Sequence, residues 1–204
     1  MDNFLTVLRY LRQFNTIEND TINTLNCTID EYYNIGMESG KFLSFLIRLL
    51  QGKKILEIGS CVGYSSIWIG EALKATRGKL TTIEFNSLYF NEAKKNIARA
   101  NLNDYIDIVL GDAKTLIKEF QDETFDLVFQ DSEKTLYTDM FDDCIRVIRK
   151  NGLIVVDDAL LKPFGEKEEL VEPIHSFNKI AFQDNRLYSV MLPIGHGLVV
   201  SIKL

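Results

Sequence analysis

Ile55-Leu-Glu-Ile-Gly-Ser-Cys-Val-Gly-Tyr-Ser65 joins a short apolar run to a turn that contains two glycines. A β-branched apolar run of this length is typical of a buried strand in a parallel sheet. Gly59 and Gly63 can take positive φ angles and let the backbone approach a ligand closely, although a packing turn would use glycines in the same way. Ser65 is a candidate N-cap for a helix that follows. The stretch therefore predicts a strand, a glycine turn and a helix, the repeating unit of an α/β fold.

Similar strand-like and helix-like segments alternate along the rest of the chain. After Ile55–Ile58, the predicted strands are Leu80–Ile83, Ile106–Leu110, Phe125–Phe129 and Leu153–Val156. The predicted helices are Ser65–Leu73, Leu88–Ala100, Ala113–Phe120, Tyr137–Arg149 and one within Lys167–Ala181. Two runs near the end, Leu187–Leu192 and Leu198–Lys203, flank the turn Pro193-Ile-Gly-His-Gly197 and predict an antiparallel hairpin.

Residues 1–50 have the apolar spacing of helices, with a loop or a helix start over Asn34–Gly40. We therefore predict one α/β domain over residues 1–204, in which N-terminal helices (1–50) precede a cofactor-binding core (51–204). Its sheet would be Rossmann-like, mostly parallel and seven-stranded, with the antiparallel C-terminal hairpin and with helices on both faces. A dehydrogenase that binds a dinucleotide is the alternative, but Cys61 stands where the second glycine of its Gly-x-Gly-x-x-Gly pattern belongs.

The composition narrows the class of protein. The chain has 204 residues, of which 46% are hydrophobic and 25% charged, and these values describe a globular protein. A net charge of −6 disfavours a dedicated nucleic-acid binder, which usually has a basic surface. Cys27, Cys61 and Cys144 lack metal-binding spacing and are expected to be reduced thiols. Because no signal peptide and no membrane-spanning run is recognised, we expect a soluble, cytoplasmic protein.

Three carboxylates follow two of the predicted strands. Asp131 comes directly after Phe125–Gln130, while Asp157 and Asp158 come directly after Gly152–Val156. Ligands of open α/β sheets bind just past the carboxyl ends of the strands, so we expect these side chains to meet at one edge. Carboxylate oxygens are the ligands that hard divalent cations prefer. The pattern therefore predicts a site for a divalent cation.

A second group of polar residues would lie at the same edge. Glu84 follows Leu80–Ile83, where a carboxylate can accept both hydroxyls of a ribose or simply cap the next helix. Asp112 and Ala113 follow Ile106–Leu110, where they could contact an adenine edge or begin the next helix. Together with the glycine turn, these residues predict an adenosine-shaped site.

The joint pattern resembles a known enzyme family. Ile55–Ser65, Thr82-Ile-Glu84 and Gly111-Asp-Ala113 are similar to class I S-adenosylmethionine-dependent methyltransferases. More narrowly, the chain resembles the metal-dependent O-methyltransferases typified by catechol and caffeoyl-CoA O-methyltransferases. The narrower matches are Asp131-Ser-Glu-Lys134 with Tyr137, Gly152-Leu-Ile-Val-Val-Asp-Asp158, Leu192-Pro-Ile-Gly-His-Gly-Leu198, and Asn34–Gly40, which resembles the family's loop over the cofactor.

The resemblance implies a role for each matching residue. Glu84 would bind the ribose hydroxyls, Asp112 and Ala113 would lie at the adenine, and Ser65 would lie near the methionine carboxylate. The other implied contacts to S-adenosylmethionine are Ile35, Glu57, Gly59, Cys61, Gly63, Phe85 and Asp131. The implied ligands of Mg²⁺ (or Mn²⁺ or Ca²⁺) are Asp131, Asp157 and Asp158. Lys134 would be the general base, with Asp131 beside it in the catalytic group.

Two positions depart from the family pattern. Asp158 stands where the third metal ligand is usually asparagine, which adds a negative charge to the site. Ser132 and Glu133 stand near the place where the animal catechol enzymes carry bulky aromatic residues, which favours a more open or cation-tolerant mouth. His196, in the turn of the hairpin, is expected to be a surface or packing residue.

The resemblance implies methyl transfer to a hydroxyl of a chelating small molecule, such as a catechol or a vicinal diol. One alternative acceptor is a hydroxylated uridine of tRNA, which the acidic composition disfavours. Another alternative is a protein that binds the cofactor without catalysis. Members of the family are often homodimers, and we expect residues 1–30 to form such a contact.

Overall fold

The computed structural model describes residues 2–15, 17–28 and 35–204. Three helices precede the sheet: α1 (Asp2–Arg12), α2 (Asp20–Thr28) and α3 (Gly36–Leu50). The strands are β1 (Lys54–Ile58), β2 (Lys79–Glu84), β3 (Ile106–Leu110), β4 (Phe125–Gln130), β5 (Ile148–Val156), β6 (Leu187–Leu192) and β7 (Leu198–Lys203). The other helices are α4 (Tyr64–Thr76), α5 (Ser87–Arg99), α6 (Ala113–Leu116), α7 (Leu136–Asp139), α8 (Phe141–Val147), α9 (Leu161–Phe164) and α10 (Glu168–Gln183).

The strands form one seven-stranded sheet in the order β3-β2-β1-β4-β5-β7-β6. Strands β1 to β5 pair in parallel, whereas β7 pairs antiparallel with both β5 and β6. The predicted α/β class, with a mostly parallel sheet and an antiparallel C-terminal hairpin, is therefore confirmed. The second strand of the hairpin inserts next to β5, so β6 forms the edge.

Both faces of the sheet are buried along its central strands β1, β4 and β5. In β4, Leu127 and Phe129 pack with Trp68 in one apolar cluster, while Val128 packs with Tyr137 in another. Successive side chains of a strand point to opposite faces, so the two clusters lie on the two sides of the sheet. This explains why the strand sequences are continuous apolar runs rather than alternating ones.

Some predicted boundaries are wrong. The helix predicted over Tyr137–Arg149 ends at Val147, because Ile148 instead pairs with Phe125 in the sheet. The helix predicted over Ala113–Phe120 ends at Leu116 and continues as a 3-10 turn over Ile117–Glu119.

The segment Asn34–Gly40 contains a helix start, since α3 begins at Gly36, whereas Asn34 lies outside the described residues. Within the described ranges, no helix is long and apolar enough to cross a membrane. Cys61 and Cys144 are free thiols, as expected, and Cys144 is buried. The side chain of Cys27 lies outside the description.

Candidate active site

The centre of the sheet is the point at which the strand order reverses. Strands β1 and β4 are neighbours there, with Ile58 paired to Gln130, so the segments that follow them leave the sheet side by side. Gly59 has a φ of +92°, and a Cβ on it would lie 2.2 Å from the carbonyl oxygen of Asp131. Ligands of open α/β sheets bind in the crevice at such a reversal. The glycine turn and the first predicted carboxylate therefore share this crevice.

A cavity of about 680 Å³ opens at this crevice. Its walls include seven of the residues predicted to bind the cofactor: Gly59, Cys61, Glu84, Phe85, Asp112, Ala113 and Asp131. They also include residues that the sequence reasoning did not single out for this role, among them Asn86, Tyr89 and Leu136. These three belong to the loop after β2, to α5 and to the start of α7, and only the fold brings them to the cavity.

The carboxylate of Glu84 is fixed at the end of β2. One of its oxygens accepts a hydrogen bond from the backbone N–H of Cys61 at 2.8 Å, and the other accepts one from the N–H of Asn86, also at 2.8 Å. A carboxylate oxygen has two lone pairs, so each oxygen can accept a further bond from a ligand. Each oxygen of this carboxylate could therefore accept a hydrogen bond from a ligand hydroxyl.

The glycine turn is held in a conformation that glycine makes possible. Gly63 has a φ of 88° and is the N-cap of α4, without a side-chain cap. A Cβ on Gly63 would lie 3.3 Å from the Cα of Ala93 on α5. Ser65 lies inside the first turn of α4, so its predicted role as N-cap is wrong. Asp112, by contrast, does cap α6, and it lines the cavity as well.

Glu57 is fully buried in β1, below the turn. Ser66 donates a hydrogen bond to one of its carboxylate oxygens, whereas the other has no partner among the described residues. Burial raises the pKa of Glu57 to about 7, and the nearby hydroxyls of Ser65 and Ser66 act in the opposite direction. Glu57 and Ser65 therefore form a polar layer under the cavity rather than part of its wall.

Ile35 is buried in the apolar cluster that contains Trp68, and Gly63 and Ser65 are likewise absent from the walls of the cavity. The contacts that the resemblance implies between these residues and the cofactor stay predictions.

A second cavity, of about 290 Å³, adjoins the first and shares Cys61 and Asp131 with it. Its polar lining includes Lys134, Asp157, Asp158, Glu166 and His196, and its apolar lining consists of Leu161, Phe164 and Leu170. The predicted catalytic and metal-binding residues therefore lie together in one small cavity next to the larger one.

Lys134 is the centre of a network of ion pairs. Its ammonium nitrogen lies 3.2 Å from Asp131 Oδ1 and 3.1 Å from the hydroxyl of Tyr137, and it also pairs with Asp158. His196 Nδ1 lies 3.3 Å from the other carboxylate oxygen of Asp158. The sequence analysis did not predict a role for His196. Its place in the site follows from the topology, because the turn between β6 and β7 lies beside the end of β5.

The network shifts the pKa values of its members. Burial raises the pKa of Asp131 and that of Asp157, the latter well above its usual range. Burial also opposes the charged form of Asp158, but His196 and Lys134 outweigh it and lower the pKa of Asp158. Burial disfavours the ammonium of Lys134, yet its anionic neighbours dominate and raise its pKa above the ordinary value. Lys134 is therefore a protonated cation at neutral pH.

The carboxylates can be tested for their fit to a metal ion. Among residues 2–15, 17–28 and 35–204, no group of three or more Asp, Glu, His or Cys side chains is arranged to hold a metal. The ammonium of Lys134 pairs with both Asp131 and Asp158. Asp157 Oδ1, in contrast, is buried without a hydrogen-bond partner in the described structure. The donor types suit a hard divalent cation, but such an ion would have to displace the ammonium.

Comparison with known proteins places this architecture in one family. The sequence profile of the O-methyltransferase family matches residues 13–204. The chain belongs to the O-methyltransferase family. A catechol O-methyltransferase of Niastella koreensis is 35% identical over 162 residues, which cover 78% of this chain and 70% of that relative. A catechol O-methyltransferase of Mycobacterium tuberculosis is 31% identical over 126 residues, covering 62% of this chain and 57% of that one. The predicted resemblance to O-methyltransferases is confirmed.

Solved structures share the O-methyltransferase fold. An O-methyltransferase from Bacillus cereus in complex with SAH has a TM-score of 0.83 at 23% identity and covers 98% of this chain and 97% of its own. The O-methyltransferase TomG from Streptomyces achromogenes, solved with SAM, has a TM-score of 0.86 at 23% identity and covers 97% of this chain and 96% of its own. These similarities confirm the Rossmann-like methyltransferase fold.

Proposed function

We propose that this chain transfers a methyl group from S-adenosylmethionine to one hydroxyl of a small molecule that carries two adjacent hydroxyls. The main observation behind this proposal is that two cavities with different linings share Cys61 and Asp131 as wall residues. The larger contains an oriented carboxylate, and the smaller contains the ion-pair network. The names of the relatives support the reaction, and the neighbours in complex with SAH and SAM support the cofactor.

The larger cavity would bind the cofactor. Glu84 would accept hydrogen bonds from the ribose hydroxyls, and Asp112 and Ala113 would lie at the adenine. S-adenosylmethionine, when bound, supplies an electrophilic methyl group. Because Asp131 and Cys61 line both cavities, this region of the wall would bring the donor and the acceptor side by side, which is the main requirement of a direct displacement.

The smaller cavity would bind the acceptor, and we propose that Asp131, Asp157 and Asp158 hold a divalent cation there, with Mg²⁺ the first candidate. Such an ion, when bound, lowers the pKa of the acceptor hydroxyls. The apolar side chains of Leu161 and Phe164 would pack against the rest of the acceptor.

Lys134 contributes its positive charge. It keeps its proton in the network, since the neighbouring carboxylates raise its pKa. The protonated group would stabilise the negative charge on the acceptor oxygen once the hydroxyl proton has passed to solvent water. A role as general base requires Lys134 to leave Asp131 and Asp158 first, because only then would its pKa fall. That role stays a prediction.

Methyl transfer from labelled S-adenosylmethionine to catechols, hydroxycinnamates and bulk tRNA, with Mg²⁺ or with EDTA, tests the proposal. We expect labelled small diols and the loss of labelling in EDTA. The variant Asp157→Asn tests whether this carboxylate binds the cation, and it should reduce the stimulation of methyl transfer by Mg²⁺. Labelled tRNA would favour the alternative acceptor. Cofactor binding without transfer to any acceptor would favour a non-catalytic protein, and transfer in EDTA would contradict the metal role.

We further propose that the chain forms a homodimer through its N-terminal helices. Exposed apolar side chains on α1 and in the turn after it include Val7, Tyr10 and Phe14, and α3 exposes Phe45 and Leu49. Large exposed apolar patches mark contact surfaces. Light scattering after size exclusion tests this, and the substitution Phe14→Glu should shift the protein towards the monomer. The single domain and the cytoplasmic location stay predictions.

A further inference from the structure

The apolar side of the smaller cavity carries one carboxylate outside the ion-pair network. Glu166 lies in the loop between α9 and α10, half-buried, and it lines this cavity together with Phe164 and Leu170. Within the described residues, no lysine or arginine forms a salt bridge with Glu166. Lys162, on the adjacent helix α9, is near Glu172 instead, at 4.0 Å. A ligand in the cavity can therefore contact a carboxylate that has no lysine or arginine partner among the described residues.

The cations of this cavity are already engaged. Lys134 pairs with Asp131 and Asp158, and His196 lies against Asp158. The field of Glu166 also reaches His196, where it adds to the larger effect of Asp158 in raising the pKa of the imidazole. Among the described residues that line the cavity, the basic ones are Lys134 and His196, and both contact Asp158.

Glu133, the acidic residue that the sequence associates with a cation-tolerant mouth, lies elsewhere. It lines the larger cavity and not the smaller one. Among the described residues that line the smaller cavity, the acidic side chain outside the network is therefore Glu166, which the α9–α10 loop brings there.

We propose that Glu166 makes the smaller cavity select acceptors that carry a positive charge beside their adjacent hydroxyls and disfavour acceptors with an anionic side chain. This inference rests on the proposed function, which supplies the diol. A carboxylate next to apolar side chains interacts with a ligand charge more strongly than it would in open water. Glu166 attracts a cationic substituent of the acceptor and repels an anionic one, such as a carboxylate.

Three ligands with the same ring isolate this effect: 3,4-dihydroxybenzylamine, 3,4-dihydroxybenzyl alcohol and 3,4-dihydroxybenzoate. Their dissociation constants are measured by calorimetry in the presence of Mg²⁺ and S-adenosylhomocysteine. We expect the amine to bind about tenfold more tightly than the benzoate, as one partly screened charge pair can provide. The difference should narrow as the salt concentration rises.

Variants assign the preference to one side chain. Glu166→Gln should remove most of the difference between amine and benzoate, and Glu166→Lys should reverse it, while the alcohol binds within about twofold of wild type in both. Glu169→Gln is the matched control, because Glu169 is exposed near the start of α10 and lines neither cavity.

The inference is overturned if the wild-type protein binds the benzoate as tightly as the amine, if it binds none of the three ligands, or if Glu166→Gln keeps the full difference. Failure of the proposed function would look different: the charge preference in binding would persist, but no methyl group would reach any of the three diols.

Discussion

Gly59 lies against the backbone of Asp131 so closely that a Cβ on Gly59 would stand 2.2 Å from the Asp131 carbonyl oxygen. The ends of β1 and β4 can approach in this way because the first residue after β1 has no side chain. Asp131 is thereby held at the boundary between the two cavities. A substitution at Gly59 should therefore affect the position of Asp131 as well as the turn itself.

Gly59→Ala should lower the thermal stability and weaken the binding of S-adenosylhomocysteine by more than about tenfold, because the methyl group must push Asp131 aside. Gly165→Ala is the control: Gly165 also has a positive φ, +76°, but its Cβ would meet nothing within 4 Å. That control should show only the backbone cost, about 1 kcal/mol. Thermal unfolding and calorimetry measure both effects, and equal losses in the two variants would contradict the role of the close approach.

Glu84→Gln should weaken the binding of S-adenosylhomocysteine by about tenfold or more. The amide nitrogen cannot accept the hydrogen bond that the backbone of either Cys61 or Asn86 now donates, so a partly buried donor loses its acceptor and the ribose loses a charged partner. Glu92→Gln, an exposed change on α5 that breaks only the pair with Lys95, should bind normally. Calorimetry measures both affinities. If Glu84→Gln binds S-adenosylhomocysteine as tightly as the wild type does, Glu84 does not contact the cofactor.

Lys134→Met should change metal binding and stability in opposite directions. Without the ammonium, Asp131 and Asp158 repel one another, so the metal-free variant should lose about 3 kcal/mol of stability. A divalent cation no longer has to displace the ammonium and should bind roughly tenfold more tightly. Thermal unfolding in EDTA and titration with Mn²⁺ measure these changes.

The control for Lys134 is Lys114→Met, which breaks an exposed pair with Asp139, and neither residue of this pair lines the smaller cavity. It should leave the Mn²⁺ affinity unchanged. If Mn²⁺ binds Lys134→Met no more tightly than it binds the wild type, the ammonium and the cation do not compete for these carboxylates.

The buried Glu57 should make stability depend on pH. Its pKa is raised from 4.5 to about 7 in the folded protein, so between these values the folded state holds a proton that the unfolded state has released. The contribution of Glu57 to stability is therefore greatest below about pH 4.5 and falls as the pH rises to about 7, by on the order of 3 kcal/mol in total.

Glu57→Gln should remove this part of the pH dependence and be more stable than wild type at pH 8, as measured by urea unfolding across the pH range. Ser66→Ala should raise the pKa of Glu57 further, because the hydroxyl of Ser66 stabilises the charged form. Parallel pH profiles for wild type and Glu57→Gln would show that Glu57 does not carry the effect.

The sequence predicts the sheet better than it predicts the helix boundaries. Runs such as Leu153–Val156 are buried on both faces, and that leaves a clear apolar signal. Ile148 carries no such signal, because an apolar residue suits the end of α8 as well as the bulged beginning of β5. Tertiary pairing with Phe125 decides between them, and the local sequence does not contain that information.

Within the site, the sequence reveals residues at the ends of strands but not those that the fold brings there from loops. Asp131 and Glu84 could be predicted because each ends a parallel strand at the same edge. His196 and Glu166 lie in turns whose position depends on β7 inserting between β5 and β6 and on the α9–α10 loop folding back. Neither feature is visible in the local pattern of apolar residues.

Asp131 and Cys61 belong to the walls of both cavities. A molecule in either cavity therefore alters a surface that the other molecule must touch. Thermodynamic linkage makes such coupling reciprocal: whatever factor the cofactor contributes to acceptor affinity, the acceptor contributes to cofactor affinity. An affinity measured for one ligand alone thus describes a different state of the shared wall from the one present when both ligands are bound.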